Sequence, residues 1–131
     1  MKIHHLGIAV ESLDSAVPIF SNLLGCAPDR EELVEDQKVR VAVFAVGESC
    51  IELLEATSPD STIARFVAKR GQGIHHLTLS VANLPDVLAS LQQKGVRLID
   101  REPRIGAGNT RIAFLHPSST AGVLIELVEE Q

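Results

Sequence analysis

The chain opens on Ile3-His4-His5-Leu6-Gly7-Ile8-Ala9-Val10 and returns to this pattern at Ile74-His75-His76-Leu77-Thr78-Leu79-Ser80-Val81. Two further matches keep the same order: Arg40–Phe44 with Arg111–Leu115, and Ile51–Leu53 with Ile125–Leu127. An internal repeat this long indicates a fold made of two similar units, and it pairs any functional residue in one unit with a counterpart in the other.

Each half of the sequence predicts a βαβββ module. An alternating, β-branched first strand is followed by a helical pattern and then by three strand-like runs. We expect one domain over residues 1–131, with module 1 at 1–56, a linker with a helix at 57–73, and module 2 at 74–131. The predicted fold class is α+β, in which the two sheets form a curved, partly open mixed β-barrel with the helices outside.

Two local expectations are specific enough to check. The helix that follows the first strand should hold Pro18 in its first turn, where proline is tolerated. In module 2 the later strands should lie near 97–101, 110–115 and 122–129.

Composition narrows the classes of function. The 131 residues are 45% hydrophobic, which supports a shared core, and the net charge of −5 with few aromatic residues argues against nucleic-acid binding. We found no signal peptide and no stretch long enough to cross a membrane, so a cytoplasmic protein is expected. Cys26 and Cys50 do not form a CxxC pair and are predicted to be buried, reduced thiols.

Strand alternation assigns the histidines to faces. His5 shares its face with Gly7 and Ala9, whereas His4 shares the opposite face with the large aliphatic side chains. The aliphatic face should pack under the helix, so His5 and its repeat counterpart His76 should line a cavity. A lone histidine there would be an ordinary core residue, but duplication in the same register favours a functional one. His4 and His75 are expected to be polar residues at strand starts.

Glu52 and Glu126 lie in mid-strand at matched positions of the repeat. A carboxylate that faces an apolar cavity is costly unless a metal or a buried partner offsets the cost. With His5 and His76 they would supply two imidazoles and two carboxylates, a set that suits Co²⁺, Ni²⁺, Mn²⁺ or Zn²⁺. Of these ions, Co²⁺ is the one we expect first. Glu55 and Glu129, on the opposite strand face, are expected to be surface charges.

The sequence resembles the vicinal oxygen chelate superfamily (glyoxalase/bleomycin-resistance proteins) and, within it, the methylmalonyl-CoA epimerase family. The superfamily likeness lies in the paired βαβββ units and the two histidines and two glutamates. The epimerase likeness lies in longer strings along nearly the whole chain: Ile3–Val10, Ile51–Glu55, Asp60–Phe66, Gly73–Leu77, Phe114–Pro117 and Gly122–Leu127.

The resemblance implies an enzyme that inverts C2 of methylmalonyl-CoA by proton transfer through a metal-stabilised enolate. It implies His5, His76 and Glu126 as metal ligands with Glu52 as the fourth, although some epimerases carry Gln at that position. Glu126 and then Glu52 are the candidate catalytic acid and base. Some members hold a second catalytic glutamate where this chain has Val41. The implied substrate is a small-molecule acyl-CoA, and the implied assembly is a homodimer.

Two other functions remain open at the level of sequence. A glyoxalase I-type lactoylglutathione lyase would use the same residue set, but its relatives show an Asp-Pro-Asp-Gly pattern where this chain has His116–Val123. A non-catalytic small-molecule binding protein of the same fold would be expected to have an aromatic-lined cleft. The arginines of module 2 are expected to be solvated charges at strand edges: Arg97, Arg101, Arg104 and Arg111.

Overall fold

The computed structural model describes residues 1–130. Module 1 contains β1 (Lys2–Ala9), α1 (Leu13–Leu24), β2 (Arg30–Val34), β3 (Val39–Val46) and β4 (Ser49–Ala56). After α2 (Thr62–Arg70), module 2 contains β5 (Gly73–Val81), α3 (Leu84–Gln93), β6 (Arg104–Ile105), β7 (Arg111–Leu115) and β8 (Ile125–Glu129). Single 3₁₀ turns lie at Glu35–Gln37, Ala107–Asn109 and Pro117–Ser119. The predicted fold class, α+β with two βαβββ modules, is confirmed.

The described residues divide into two compact units. The first unit is His5–His75, and the second contains Met1–His4 and the chain from His76 on. The strand order is β2-β3-β4-β1 in the first unit and β5-β8-β7-β6 in the second. In each unit the first and last strands of the module pair in parallel, and the other pairs are antiparallel. The start and the end of each repeat therefore lie side by side.

In the first unit, α1 covers the aliphatic face of the sheet. The buried residues of this core are Val10, Leu13, Ala16, Ala42, Phe44 and Leu53. Ile8 and Phe20 pack against them, as the alternation of β1 predicts. Each large side chain buried in this way contributes about 1.5–3 kcal/mol.

The second unit repeats this core at matched positions under α3. Its buried residues are Val81, Leu84, Leu88, Ala113, Leu115 and Leu127. A smaller cluster, which we call the apolar wall, lies on the opposite strand face and consists of Ile112, Phe114 and Val128 with Leu124 packed against them. Two layers of side chains thus flank the strands of this unit.

Proline falls later in α1 than the sequence suggested. The helix begins at Leu13, after the Ser12 side chain accepts a hydrogen bond from the Ser15 backbone N–H. Pro18 is therefore the sixth helical residue and lies in the second turn, so the prediction of a first-turn proline is wrong. Since proline has no N–H, the Asp14 carbonyl loses its usual partner four residues on.

The strand expected near 97–101 does not form. Only an isolated bridge joins Leu98 to Leu115, and the paired strand is Arg104–Ile105. The Asp100 carboxylate accepts the backbone N–H of Phe114 at 2.8 Å, while the N–H groups of Ile99 and Asp100 both donate to the Phe114 carbonyl. The Asp100 side chain thus takes the place of the backbone carbonyl that would accept this N–H in a regular strand pair.

The last strand also begins later than predicted, at Ile125 instead of 122. Ala121 and Gly122 have φ angles of +57° and +85°, which belong to a left-handed turn and not to a strand. The Gly122 N–H donates to the Pro117 carbonyl, so these residues close the loop that precedes β8.

Glu55 and Glu129 are not simple surface charges, contrary to expectation. Glu55 Oε1 accepts the backbone N–H of Leu13 at 2.6 Å, and Glu129 Oε2 accepts that of Leu84 at 2.9 Å. Each carboxylate thus lies at the N-terminus of the helix in its own module, where a negative charge also interacts favourably with the helix dipole.

The exposure of the two cysteines differs from the prediction. Cys26 is exposed and Cys50 is half-buried, so the expectation of two buried thiols is wrong. Among residues 1–130, none of the helices has the length and apolar character required to span a bilayer.

Candidate metal centre

In the first unit, His5 and Glu52 form a buried pair. β1 and β4 run parallel, and their register places Gly7 beside Glu52 and His5 beside Cys50. His5 Nδ1 lies 3.3 Å from Glu52 Oε2, and the residues are only 5% and 4% exposed. His5, Gly7 and Ala9 are buried on one face of β1, whereas Leu6 and Ile8 on the opposite face are half-buried. That His5 lines a cavity stays a prediction.

In the second unit, His76 and Glu126 form the matching pair. β5 and β8 are parallel and place Thr78 beside Glu126. His76 Nε2 lies 3.4 Å from Glu126 Oε1, with exposures of 6% and 5%. The structure therefore joins each predicted histidine to the predicted glutamate of its own repeat.

Thr78 adds a contact that the sequence reading did not assign. Its hydroxyl donates to Glu126 Oε1 at 2.5 Å, in a buried environment. The alternation of β5 already placed Thr78 on the His76 face, and the register with Glu126 required only the parallel pairing of β5 with β8. The sequence analysis did not predict that pairing, because the sequence of one strand does not show which strand lies beside it.

Phe114 was also missed by the sequence analysis. It lies opposite Glu126 in the β7–β8 ladder, and its ring packs edge-on against the His76 imidazole with centroids 5.9 Å apart. The repeat could have identified this position, because Phe114 corresponds to Val43, and Val43 lies opposite Glu52 in the first unit. The apolar wall thus borders the second histidine–glutamate pair.

One of the four module 2 arginines approaches this wall. The Arg104 guanidinium lies 5.4 Å from the centre of the Phe114 ring, and its Nε lies 3.4 Å from Asp100 Oδ1. Arg111 instead pairs with Glu129 at 3.1 Å. Arg104 is therefore more closely associated with the candidate site than the expectation of a solvated edge charge implied.

His75 and His116 have structural contacts. His75 is half-buried and packs edge-on against Phe66 with centroids 5.0 Å apart. His116 Nδ1 accepts the Ser118 backbone N–H at the start of a 3₁₀ turn. Val41, at the position where some epimerases have a glutamate, is 1% exposed and pairs with Leu54 and Glu32.

The donor chemistry of both pairs suits a divalent metal ion. Buried imidazole and carboxylate groups of this kind could hold such an ion, and both are good ligands for first-row metals. A buried carboxylate carries a negative charge that is costly to bury, and a cation would offset this cost. Each pair offers two side-chain ligands, fewer than the three or four that protein sites for these metals usually have.

The chain is similar to proteins of a known superfamily. A family model of the Glyoxalase/Bleomycin resistance protein/Dioxygenase superfamily matches residues 4–114. The chain belongs to this superfamily. Its relatives narrow the assignment to the branch of the methylmalonyl-CoA epimerases.

Three relatives illustrate that branch. The crystal structure of methylmalonyl-CoA epimerase from Mycobacterium tuberculosis superimposes with a TM-score of 0.94 at 40% identity, covering 99% of this chain and 88% of that one. A variant of the Streptomyces coelicolor enzyme in complex with 2-nitronate-propionyl-CoA gives 0.95 at 38%, covering 99% and 94%. The mitochondrial enzyme of Bos taurus is 33% identical over 96% of this chain and 73% of its own length.

Proposed function

We propose that this protein epimerises methylmalonyl-CoA at C2. The observation that carries the proposal is the pair of buried histidine–glutamate contacts at matched positions of a repeat. They occur in a chain about 40% identical to a methylmalonyl-CoA epimerase over 99% of its length. The compound found with the Streptomyces relative supports the reaction type, since a nitronate carbon is planar like the carbon of an enolate.

We further propose that His5, Glu52, His76 and Glu126 together bind one divalent metal ion, with Co²⁺ preferred and Ni²⁺, Mn²⁺ or Zn²⁺ as alternatives. Three observations support this proposal. All four groups are buried, imidazole nitrogen and carboxylate oxygen are suitable ligands for these metals, and either pair alone supplies only two ligands. When bound, such an ion supplies Lewis-acid stabilisation of negative charge on substrate oxygens.

The chain's own carboxylates supply the proton transfers. Inversion requires a base that removes the C2 proton from one face and an acid that returns a proton to the other. Glu126 and Glu52 are the proposed groups, because both are buried carboxylates beside an imidazole. Val41 has no titratable group, so the position that supplies a glutamate in some epimerases contributes nothing here.

The apolar surroundings of Glu126 favour the same chemistry. Phe114 lies opposite Glu126 and packs against His76, and Glu126 is only 5% exposed. Exclusion of water strengthens electrostatic interactions within a site. Arg104, held over Phe114, adds a positive charge that would attract an anionic acyl-CoA.

A hydrogen-exchange experiment tests the function. The Co²⁺-loaded protein is incubated with methylmalonyl-CoA in D₂O, and deuterium entry at C2 is followed by NMR. We expect exchange and inversion in the wild-type protein and losses of at least about 100-fold in Glu126→Gln and Glu52→Gln. Glu31→Gln, an exposed glutamate of β2, is the matched control and should retain activity.

The same assay separates the alternatives. Absence of exchange together with turnover of the methylglyoxal–glutathione adduct would assign the protein to the lactoylglutathione lyases. Saturable binding without turnover of either compound would favour a non-catalytic binding protein.

We also propose a cytoplasmic homodimer that acts on a small-molecule acyl-CoA and does not bind nucleic acid or membranes. Support comes from the negative net charge and from Cys26 and Cys50, which do not form a disulfide with each other. The exposed edge of a short sheet is commonly buried by a second copy. Light scattering of the purified protein gives the oligomeric mass directly, and a monomer would contradict the dimer.

A further inference from the structure

The two repeats differ at the residue beside the buried glutamate. In the second unit, Thr78 of β5 lies beside Glu126 of β8 and donates a hydrogen bond of 2.5 Å to Oε1. In the first unit, the corresponding residue of β1 beside Glu52 is Gly7. Glycine has no side chain to donate, so only one carboxylate of the duplicated set has a hydroxyl from this position.

The Thr78 hydroxyl is well placed to fix a carboxylate. Thr78 is 0% exposed and Glu126 is 5% exposed, so water does not compete effectively for the contact. A hydrogen bond from a hydroxyl to a carboxylate at this distance belongs to the strong, charge-assisted kind. Threonine is also β-branched and stiff at χ1, which makes it a more rigid anchor than a longer polar side chain.

A glutamate has three side-chain torsions that must be ordered before it can bind a metal. In the second unit, Glu126 Oε1 is held between the Thr78 hydroxyl at 2.5 Å and His76 Nε2 at 3.4 Å. The carboxylate is thus oriented by two groups from one strand, β5, which lies next to its own. Ordering a ligand in advance lowers the entropic cost of binding.

We propose that Thr78 is a positioning residue that orients Glu126 for binding of the divalent metal. The proposal rests on the proposed function, because it takes Glu126 as a ligand. Thr78 acts through Glu126 and does not itself contact the metal or the substrate. Groups that orient a ligand in this way typically change metal affinity about 10- to 100-fold when they are removed.

Metal titration tests this independently of turnover. Co²⁺ binding to the metal-free full-length protein is measured by calorimetry and by the visible absorption spectrum of the ion. Thr78→Val keeps the branched shape and removes the hydroxyl, so we expect affinity to fall about 10- to 100-fold and the spectrum to change. Thr78→Ser keeps the hydroxyl and should restore the wild-type affinity and spectrum.

Ser80→Ala is the matched control. Ser80 is a buried hydroxyl two residues along the same strand face, but its contacts are longer, at 3.5 Å to the Lys2 carbonyl and 3.4 Å to Glu130. Its removal should leave Co²⁺ affinity unchanged. A loss equal to that of Thr78→Val would mean that any buried hydroxyl matters, and it would overturn the proposal.

A double-mutant cycle with Glu126→Gln tests whether Thr78 acts through Glu126. If Thr78 acts through Glu126, Thr78→Ser and Thr78→Val should have no further effect on affinity in the Glu126→Gln background. Unchanged affinity in Thr78→Val, or fully additive losses, would overturn the inference while leaving the metal site intact. Failure of the wild-type protein to bind Co²⁺ would instead overturn the proposed function.

Discussion

Glu55, at the end of β4, accepts the backbone N–H of Leu13, the first residue of α1, at 2.6 Å. The last strand of module 1 therefore holds the first helix of the same module. Glu129 and Leu84 repeat the arrangement in module 2 at 2.9 Å. The duplication thus preserves a structural contact as well as the histidine–glutamate pairs.

The first prediction concerns this contact. Glu55→Ala leaves the Leu13 N–H without its carboxylate partner, and loss of a helix-capping acceptor costs about 1 kcal/mol. We expect a lower free energy of unfolding in urea with an unchanged m-value. The exposed Glu31→Ala serves as control, and equal stability of the two variants would refute the capping role.

The second prediction concerns Asp60. Hydrogen bonds from Lys38 and then from Ser58 lower the pKa of this carboxyl from 3.8 to about 2. Because the folded-state pKa is depressed, the stabilising contribution of Asp60 is present above pH 4 and is lost as the pH falls toward 2. In Lys38→Met the Asp60 pKa should rise toward 3.8, as measured by NMR titration of the carboxyl carbon. A pKa that stays near 2 would show that Lys38 is not the cause.

The third prediction concerns the wall residue Phe114 and rests on the proposed function. Its ring lies opposite Glu126 and against His76, so it should limit the size of a 2-alkyl group bound there. Phe114→Val copies the residue found in module 1 and should raise the kcat/KM ratio for ethylmalonyl-CoA over methylmalonyl-CoA. One methylene in such a pocket is worth about 10- to 200-fold.

Phe44→Leu is the control for general loosening of the core. Phe44 is buried on the opposite strand face, under α1, and its substitution should lower stability without changing the substrate ratio. If the kcat/KM ratio changes equally in both variants, Phe114 has no specific role in substrate selection.

The fourth prediction concerns metal removal and the single domain expected over residues 1–131. We expect one cooperative thermal transition, and we expect its midpoint temperature to fall on treatment with EDTA. A metal ion at 100 times its dissociation constant stabilises the folded state by about 2.7 kcal/mol. Glu126→Gln should show a smaller EDTA effect. Two separate transitions in calorimetry would contradict the single domain.

The sequence predicted the features that follow from periodicity and duplication. Alternation along β1 and β5 placed His5 and His76 on the face opposite the aliphatic side chains, and both histidines are buried there. The two faces can be told apart because a one-residue slip would move every aliphatic side chain away from the helices. The repeat then identified Glu52 and Glu126 as their counterparts. Their joint role in metal binding stays a prediction.

Features that depend on contacts between distant residues were not predictable. The role of Thr78 required the β5–β8 register, and the role of Glu55 required knowledge that β4 ends beside the start of α1. The absence of a strand at 97–101 has a similar origin, since the Asp100 carboxylate takes a backbone partner from Phe114. In each case a polar side chain competes with, or completes, the hydrogen bonding of a remote backbone group.

The capping glutamates and the proposed ligands occupy opposite faces of the same strands. Glu55 lies three residues after Glu52, and Glu129 lies three residues after Glu126, so one face holds the helix by hydrogen bonding and the other carries the proposed ligands. After duplication, residues on the face with the proposed ligands can therefore change in either copy while the glutamate that caps the helix is kept. Gly7 in one copy and Thr78 in the other, each beside the buried glutamate, are a difference of this kind.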